Sequence, residues 1–304
     1  MSQNNPPAGK WVAIQRNPKS GSGAGRSLLV ELVLELKRLR FRPRLFKDRA
    51  RLERWLADVE VRKQLACIVA AGGDGTVADV FNRFPGVRVA ILPLGTENLL
   101  ARYLGIPASG KAVARMIAAG RVRVLDLCRL GERKFVLLAS AGFDADVVEL
   151  LHQRRRGNIS RFTYLQPILE SLRKYKYPEI RVWIDDAPEP ASARWVAVVN
   201  VPIYALGFTL ARQVRDNDGT VDVRLFRRGS AFQMAWYLCN VALGIHERLP
   251  DVKSVPARRI RIESDVPVPI QVDGDPAGWT PAEICVVPAA LEVIVPGDSQ
   301  GPTG

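Results

Sequence analysis

The sequence predicts two lobes: an α/β lobe over residues 10–125, with a parallel sheet covered by helices, and a β-rich, antiparallel, sandwich-like lobe over residues 126–296. Three observations predict this fold class. The chain has 304 residues, enough for two domains at roughly 150 residues each. In the first part, an apolar strand, a Gly-rich turn and a helix follow one another three times. In the second part, apolar and polar residues alternate with the period of a strand.

Three strands, each leading into a loop and a helix, define the first lobe. Strands are expected at Trp11–Ile14, Leu65–Ala71 and Val87–Leu92. The loops after them read NPKSGSGAG, GGDGT and LPLGTEN. Repetition of this order predicts a parallel sheet. Because the carboxyl ends of parallel strands share one edge, the three polar loops are expected to converge where open α/β sheets bind ligands.

The second lobe is predicted from short alternating segments and two helices. The alternating apolar residues are Ile180, Val182 and Ile184, then Val221, Val223 and Leu225, then Val268, Ile270 and Val272. Helices are expected at Ser160–Tyr175 and Ser230–Leu243. The stretch Ala231–Ile245 is nearly uncharged but shorter than the roughly 20 residues of a membrane span. It is interpreted either as a buried core helix or as a helix that lines an acyl-chain cavity or dips into a membrane surface.

Charge and cysteine usage narrow the function classes. Lys and Arg number 44 against 31 Asp and Glu, a net charge of +13, which attracts nucleic acid, nucleotide phosphates or an anionic membrane. No nucleic-acid recognition motif accompanies the charge, so no nucleic-acid partner is expected. The four cysteines and two histidines lack disulfide-framework or zinc spacing. The polar amino terminus has no signal-peptide core, which favours a cytoplasmic location.

GGDGT has the composition of a phosphate-binding turn. Gly72, Gly73 and Gly75 allow the backbone to approach a ligand and to offer N–H groups to phosphate oxygens. Thr76 opens a helix, whose amino terminus favours anions. Asp74 suits a magnesium ion, a ligand hydroxyl or a water. The alternative is a plain strand-to-helix connection with an Asp cap.

Two groups of acids in the second lobe are candidates for metal binding and proton transfer. Asp216, Asp218 and Asp222 lie within seven residues, and such oxygen-rich clusters suit Mg²⁺; the alternative is an ordinary Asp-Gly hairpin turn. In VDGDP, Asp273 and Asp275 fall in the turn that ends a strand. The alternative there is a hairpin corner fixed by the following proline.

The ordered motifs resemble those of the diacylglycerol kinase catalytic-domain family. They are NPKSG, GGDGT, LPLGTEN, AGFDADV at Ala141–Val147, DNDGTVDV at Asp216–Val223, and VDGDP at Val272–Pro276. The resemblance implies an ATP-dependent lipid kinase that uses Mg²⁺ and binds ATP between an α/β lobe and a β-rich lobe. The implied ATP-binding residues are Asn17, Pro18, Lys19, Ser20, Gly21, Gly72, Gly73, Asp74, Gly75, Thr76, Val77 and Thr96.

The resemblance also implies a metal site and a base. Magnesium binding falls on Asp218, with the backbone at Arg215 and Thr220, and the general base falls on Asp275. Two positions depart from the family pattern: Leu99 stands where the family has Asp, and Asp275 stands where it usually has Glu. Asp273 is the next candidate base.

The implied acceptor is a lipid hydroxyl, of diacylglycerol or a sphingoid-type lipid, reached from a peripheral membrane surface. Two alternatives stay open at this point. One is an NAD kinase-like small-molecule kinase, and the other is a non-catalytic nucleotide- or lipid-binding member of the family. The sequence does not indicate the oligomeric state.

Overall fold

A parallel sheet forms the centre of the first lobe in the computed structural model, which describes residues 9–17, 23–154, 165–204 and 207–297. Its strands are β1 (Trp11–Arg16), β2 (Arg42–Phe46), β3 (Leu65–Gly72) and β4 (Val89–Pro93). They lie in the order β2-β1-β3-β4, and all neighbours are parallel. β4 is buried along its whole length, as expected for a strand covered on both faces.

Helices follow β1, β3 and β4 as the sequence predicts, and the described part of the lobe has three further helices that were not predicted. The helices are α1 (Gly23–Arg38), α2 (Arg49–Leu56), α3 (Val59–Lys63), α4 (Asp74–Arg83), α5 (Leu99–Tyr103) and α6 (Gly110–Ala119). Leu32 and Leu36 of α1, four residues apart, are fully buried and lie on its inner face. The predicted α/β lobe is confirmed.

The second lobe is a sandwich of antiparallel strands. The strands after β4 are β5 (Val122–Leu130), β6 (Arg133–Phe135), β7 (Leu138–Gly142), β8 (Ile180–Ile184), β9 (Ala191–Ala193), β10 (Trp195–Val199), β11 (Val221–Phe226), β12 (Val252–Ala257), β13 (Arg259–Glu263), β14 (Pro269–Val272), β15 (Asp275–Trp279) and β16 (Ala282–Ile294). One sheet has the order β12-β11-β10-β7-β14-β15, and facing it lie β16, β13, β8 and β9. Apolar residues of both sheets form one core between them. The predicted β-rich lobe is confirmed.

Three helices cover the outer face of the six-stranded sheet. They are α7 (Phe143–Gln153), α8 (Leu165–Lys174) and α9 (Ala231–Ala242), and a short 3₁₀ helix follows at His246–Arg248. Trp195 and Phe226 of the sheet stack 4.0 Å apart and pack against Met234 and Tyr237 of α9. The first residues of the helix predicted from Ser160 lie outside the described residues. None of the described helices is long and apolar enough to cross a membrane.

The described residues form two compact units. One contains the chain up to Leu125 together with the segment from Ala290 onward, and the other contains Asp126–Ala289. The chain passes from one unit to the other within β5 and again within β16. The assignment of ATP binding to residues 10–125 and of lipid binding to residues 126–296 stays a prediction.

Candidate functional site

The GGDGT and LPLGTEN loops are in backbone contact. A Cβ atom on Gly95 would lie 2.5 Å from the Cα atom of Gly73, and a Cβ atom on Gly72 would lie 2.1 Å from Thr76 Oγ1. Such distances leave no room for any side chain. Glycine is therefore required at these positions for close packing, which is a separate need from ligand binding.

Asp74 links the two loops through its side chain. Its Oδ2 accepts the N–H of Leu99 over 2.9 Å, and its Oδ1 accepts the N–H of Leu100 over 3.1 Å. The carboxylate thus caps the amino terminus of α5. The sequence analysis left open that Asp74 caps a helix, and the helix that it caps belongs to the next loop rather than to its own. Burial raises the pKa of Asp74, and the two backbone hydrogen bonds oppose that rise. Leu99 takes part in this link through its backbone N–H and not through its side chain.

The amino terminus of α4 has open space at Gly75. Apart from its chain neighbours and the backbone of its own helix, no atom lies within 4 Å of a Cβ atom placed there, and the residue is exposed. Thr76 and Val77, the two residues after it, are buried and donate their N–H groups to Gly73 O. A ligand has room at Gly75, where the positive end of the helix dipole reaches the surface.

Three buried polar atoms lie at the carboxyl end of β1 and in the first turn of α4. Gln15 Oε1, Arg16 Nε and Thr76 Oγ1 have no hydrogen-bond partner within the described part of the chain. Asn17 follows them and donates its N–H to Ala71 O over 3.3 Å. Buried polar groups in proteins are ordinarily paired. Arg16 Nε and the Thr76 hydroxyl can donate to oxygen atoms of a ligand, whereas Gln15 Oε1 can only accept. The predicted residues Pro18, Lys19, Ser20 and Gly21 lie outside the described residues.

The LPLGTEN loop is held by Asn98. Its side-chain amide donates to Gly95 O over 2.7 Å, and its Oδ1 accepts the N–H of Gly95 over 2.9 Å. Asn98 has a φ of 47°, a left-handed conformation that Asn tolerates better than most residues. Thr96, the predicted ATP contact, lies between Gly95 and Asn98 in the chain and is exposed.

Asp218 stabilises the turn in which it lies. Its Oδ1 accepts the N–H of Thr220 over 3.0 Å and the hydroxyl of Thr220 over 2.8 Å. Asp126 of β5 holds the same turn from beneath, because its Oδ2 accepts the N–H of Gly219 and its Oδ1 accepts the N–H of Ala289. Sequence reasoning missed Asp126, since no local motif marks it.

The cluster expected from Asp216, Asp218 and Asp222 is not formed. Asp222 pairs with Arg224 over 2.9 Å, and Asp216 is buried. No group of three or more His, Cys, Asp and Glu side chains converges among the residues that the structure describes. A magnesium ion at this turn would have one carboxylate, Asp218, with carbonyl oxygens of Arg215 and Thr220. This donor set is hard and oxygen-only, as Mg²⁺ prefers, and waters would complete it.

VDGDP forms a tight hairpin between β14 and β15. Val272 pairs with Asp275, and both residues between them have positive φ, 50° at Asp273 and 83° at Gly274, as in a type I′ turn. The carboxylate of Asp273 accepts the N–H groups of Val136, Leu137 and Leu138 at 2.9–3.1 Å. These three hydrogen bonds give Asp273 a structural role. The structure therefore does not favour the expectation that Asp273 is the next candidate base.

Asp275 begins β15 with its side chain half exposed. Its Oδ2 lies 3.2 Å from Nη2 of Arg133, and 43% of its side-chain surface is accessible, so the carboxylate can meet a substrate from solvent. Arg133 also donates to the carbonyl oxygens of Val272 and Pro276. The sequence did not reveal Arg133, which joins both sides of the hairpin.

A buried network connects the AGFDADV motif to this hairpin. Asp144, in the first turn of α7, accepts hydrogen bonds from Ser140, Tyr204 and Gln271. Gln271 Oε1 in turn accepts the N–H of Gly274 over 2.9 Å. Burial raises the pKa of Asp144, and its three hydrogen bonds oppose that rise. The motif is therefore tied to the turn that presents Asp275.

Comparisons with known proteins agree with this arrangement of motifs. Residues 12–130 match the model of the diacylglycerol kinase catalytic domain, and residues 138–295 match that of the YegS C-terminal NAD kinase beta sandwich-like domain. The chain belongs to the diacylglycerol kinase catalytic-domain family. It is accordingly a kinase.

Members of this family are similar to the chain over nearly its whole length. A diacylglycerol kinase of Mycobacterium tuberculosis is 28% identical over 95% of this chain and 96% of its own length. A diacylglycerol kinase of Staphylococcus haemolyticus is 23% identical over 95% and 89%. An uncharacterized protein of Synechocystis sp. is 27% identical over 77% of this chain, which spans only 55% of that relative.

Solved structures share the fold. The crystal structure of a diacylglycerol kinase from Bacillus anthracis has a TM-score of 0.68 at 19% identity, covering 95% of this chain and 97% of that one. A second structure from the same organism has a TM-score of 0.75 at 21% identity, with the same coverage.

Proposed function

We propose that this kinase transfers the γ-phosphoryl group of ATP to a lipid hydroxyl, of diacylglycerol or a sphingoid-type lipid, with Mg²⁺. The observation that carries the proposal is the open, glycine-lined start of α4. Gly75 leaves space at the positive end of a ten-residue helix, where phosphate is stabilised by backbone N–H groups and the helix dipole. Arg16 Nε and the Thr76 hydroxyl, buried donors of the same unit, support binding of an oxygen-rich ligand.

The residues of the second unit supply the remaining parts of phosphoryl transfer. The lipid hydroxyl oxygen attacks the γ-phosphorus, the bond from that phosphorus to the β,γ-bridging oxygen breaks, and ADP leaves. Asp275 accepts the hydroxyl proton, and its half-exposed carboxylate suits a large acceptor. Mg²⁺, held by Asp218 and the carbonyl oxygens of Arg215 and Thr220, would neutralise phosphate charge.

A lipid acceptor is supported by the names of the relatives and by the exposed apolar surface of the second unit. Phe232, Trp236 and Leu243 are all more than half exposed, an arrangement suited to a bilayer surface. We propose that the reaction takes place at the cytoplasmic surface of a membrane. The AGFDADV motif, linked by hydrogen bonds to the VDGDP hairpin, favours this function over an NAD kinase-like reaction on a small molecule.

The proposal is tested by incubating the protein with γ-labelled ATP, Mg²⁺, a total lipid extract and NAD, and identifying the labelled product. We expect label in an organic-soluble phospholipid. Label in a water-soluble product such as a phosphorylated dinucleotide would favour the small-molecule alternative. ATP binding without transfer to any acceptor would favour the non-catalytic alternative.

A further inference from the structure

The guanidinium of Arg133 contacts three oxygen atoms of the VDGDP hairpin. Its Nη2 donates to Val272 O and to Asp275 Oδ2, each over 3.2 Å, and its Nη1 donates to Pro276 O over 3.3 Å. Val272 ends β14, and Pro276 is the second residue of β15. One planar group thus joins both strands of the hairpin to the side chain of Asp275.

The two carbonyl contacts fix the direction from which Arg133 reaches Asp275. A guanidinium holds its N–H donors in one plane and in a fixed geometry. With Val272 O and Pro276 O bound on opposite strands, the remaining N–H of Nη2 is directed to Asp275 Oδ2. Arg133 therefore orients the carboxylate as well as attracting it.

The two oxygen atoms of the Asp275 carboxylate have different surroundings. Oδ2 accepts a hydrogen bond from Arg133, whereas Oδ1 forms no hydrogen bond or ion pair with any residue that the structure describes. The side chain is 43% exposed, so the carboxylate can be reached from solvent. One oxygen is thus held by the protein, and the other is left for a substrate.

The segment that carries Arg133 is itself anchored to the hairpin. β6 pairs with β5, and Phe135 at its end is fully buried. The N–H groups of residues 136–138, which follow directly, bind the carboxylate of Asp273. The backbone of Arg133 is therefore held close to Asp275 by contacts that do not involve the arginine side chain.

Stability alone does not account for the contact between Arg133 and Asp275. Their side chains are 36% and 43% exposed, and ion pairs at such positions contribute little to the free energy of unfolding, because water screens their charges. The carboxylate that ties the hairpin to the backbone of residues 136–138 is that of Asp273. The ion pair is better suited to fixing the position of a carboxylate that takes part in the reaction.

We propose that Arg133 is a positioning residue for phosphoryl transfer, which holds Asp275 by Oδ2 so that Oδ1 meets the acceptor hydroxyl. The inference rests on the proposed function, because it takes Asp275 as the base. The hydroxyl proton passes to Oδ1 as the hydroxyl oxygen attacks the γ-phosphorus, the bond to the β,γ-bridging oxygen breaks, and ADP leaves. Arg133 keeps its own protons, since a guanidinium is not deprotonated in proteins, and it acts only through Asp275.

A double-mutant cycle tests this role. Single-turnover transfer of label from saturating ATP is measured for wild type, Arg133→Gln, Asp275→Asn and the double variant. The acceptor is detergent-dispersed dioleoylglycerol or sphingosine, whichever wild type labels faster, and calorimetric titration gives the ATP affinity. Arg129→Gln, at an exposed arginine of the neighbouring strand β5, is the matched control. Arg133→Met provides the same comparison in case Arg133→Gln does not fold.

The rate of Arg133→Gln should fall while its ATP affinity stays that of wild type. We expect a loss of roughly 10- to 10²-fold, the order that displacement of a catalytic group costs. Arg133→Lys should recover part of the rate, since an ammonium attracts Asp275 but cannot span both strands. In the Asp275→Asn background, Arg133→Gln should cost no further rate, because no carboxylate remains to be positioned. Arg129→Gln should match wild type.

Three results would overturn the role of Arg133. They are a rate of Arg133→Gln equal to that of Arg129→Gln, weaker ATP binding with an unchanged rate at saturation, or an equal loss from Arg133→Gln with and without Asp275→Asn. Failure of the proposed function has a different pattern. A wild type that labels neither lipid, or an Asp275→Asn protein as fast as wild type, removes the proposed base and this inference with it. A slow Asp275→Asn beside a fast Arg133→Gln keeps the function and removes only the inference.

Discussion

The side-chain amide of Gln271 donates to the buried carboxylate of Asp144 over 3.0 Å, while its carbonyl oxygen accepts the N–H of Gly274. One amide thus connects the first turn of α7 to the hairpin that presents Asp275. The orientation of Gln271 is set, because the backbone N–H of Gly274 can only donate and therefore faces the amide oxygen.

Replacing this amide by a thioether of similar size tests the connection. Gln271→Met leaves the Gly274 N–H without its partner and removes one of the two hydrogen bonds that Asp144 Oδ2 accepts, which should lower the free energy of unfolding by roughly 1–3 kcal/mol. We also expect kcat to fall more than the affinity for ATP. Gln213→Met, at an exposed position of the same unit, is the control. Denaturant unfolding and steady-state kinetics measure both effects, and a Gln271→Met protein as stable and active as the control would show that the connection is dispensable.

Asp144 should make stability depend on pH. Since burial raises its pKa in the folded protein, the folded state holds the proton more tightly than the unfolded state does. Its contribution to stability is then greatest below the ordinary Asp pKa of about 4 and declines as the pH rises through the folded value. Relative to Asp144→Asn, wild type should lose unfolding free energy over that range. The unfolding free energy of the control variant Asp186→Asn, changed at an exposed position, should depend on pH as that of wild type does. If wild type and Asp144→Asn have the same pH dependence, Asp144 does not cause it.

Gly75 separates ATP binding from stability. A carboxylate there repels phosphate but interacts favourably with the helix dipole by about 0.3–1 kcal/mol. Gly75→Asp should therefore be at least as stable as Gly75→Asn yet bind ATP roughly tenfold more weakly. Calorimetric titration with ATP and thermal unfolding give the two quantities. If Gly75→Asp and Gly75→Asn bind ATP with equal affinity, the start of α4 is not part of the nucleotide site.

The strands and helices that carry the loops could be predicted from the sequence, whereas the strand β2 could not. Apolar runs such as Leu65–Gly72 are continuous because they are buried in a parallel sheet. β2 reads RPRLF and is largely exposed at the sheet edge, so it has neither an apolar run nor clean alternation. The sequence of Ala231–Ile245 is compatible with a core helix or a membrane-facing one, and α9 has one buried and one exposed side.

Side-chain roles were harder to predict where the partner is distant in sequence. Asp126 holds a turn 93 residues away, and Asp144 meets Gln271 across 127 residues. No spacing rule connects such pairs, because they meet only when the sheet forms. Asp74 was recognised as a candidate from its glycine turn, but its bonds to Leu99 and Leu100 depend on the approach of the next loop.

Asp218 should set the Mg²⁺ requirement. Asp218→Asn keeps an oxygen that can accept from Thr220 and removes only the charge, so the turn should persist while the metal is held more weakly. We expect activity to need a higher Mg²⁺ concentration and excess Mg²⁺ to restore part of the rate. Titration of Mg²⁺ against activity, with Asp186→Asn as control, is the measurement. If activity depends on Mg²⁺ concentration identically in wild type and Asp218→Asn, Asp218 stabilises the turn and does not bind the metal.

Single-turnover transfer of label from ATP to lipid by wild type, Asp275→Asn and Asp275→Glu tests directly whether this chain is a lipid kinase whose base is Asp275. At saturating ATP, Asp275→Asn should bind the nucleotide as wild type does and transfer the phosphoryl group roughly 10²- to 10⁴-fold more slowly. Asp275→Glu, which restores the residue usual in the family, should retain or raise the rate. Two results would contradict this claim. One is that wild type binds ATP but labels no lipid, and the other is that Asp275→Asn labels lipid at the wild-type rate.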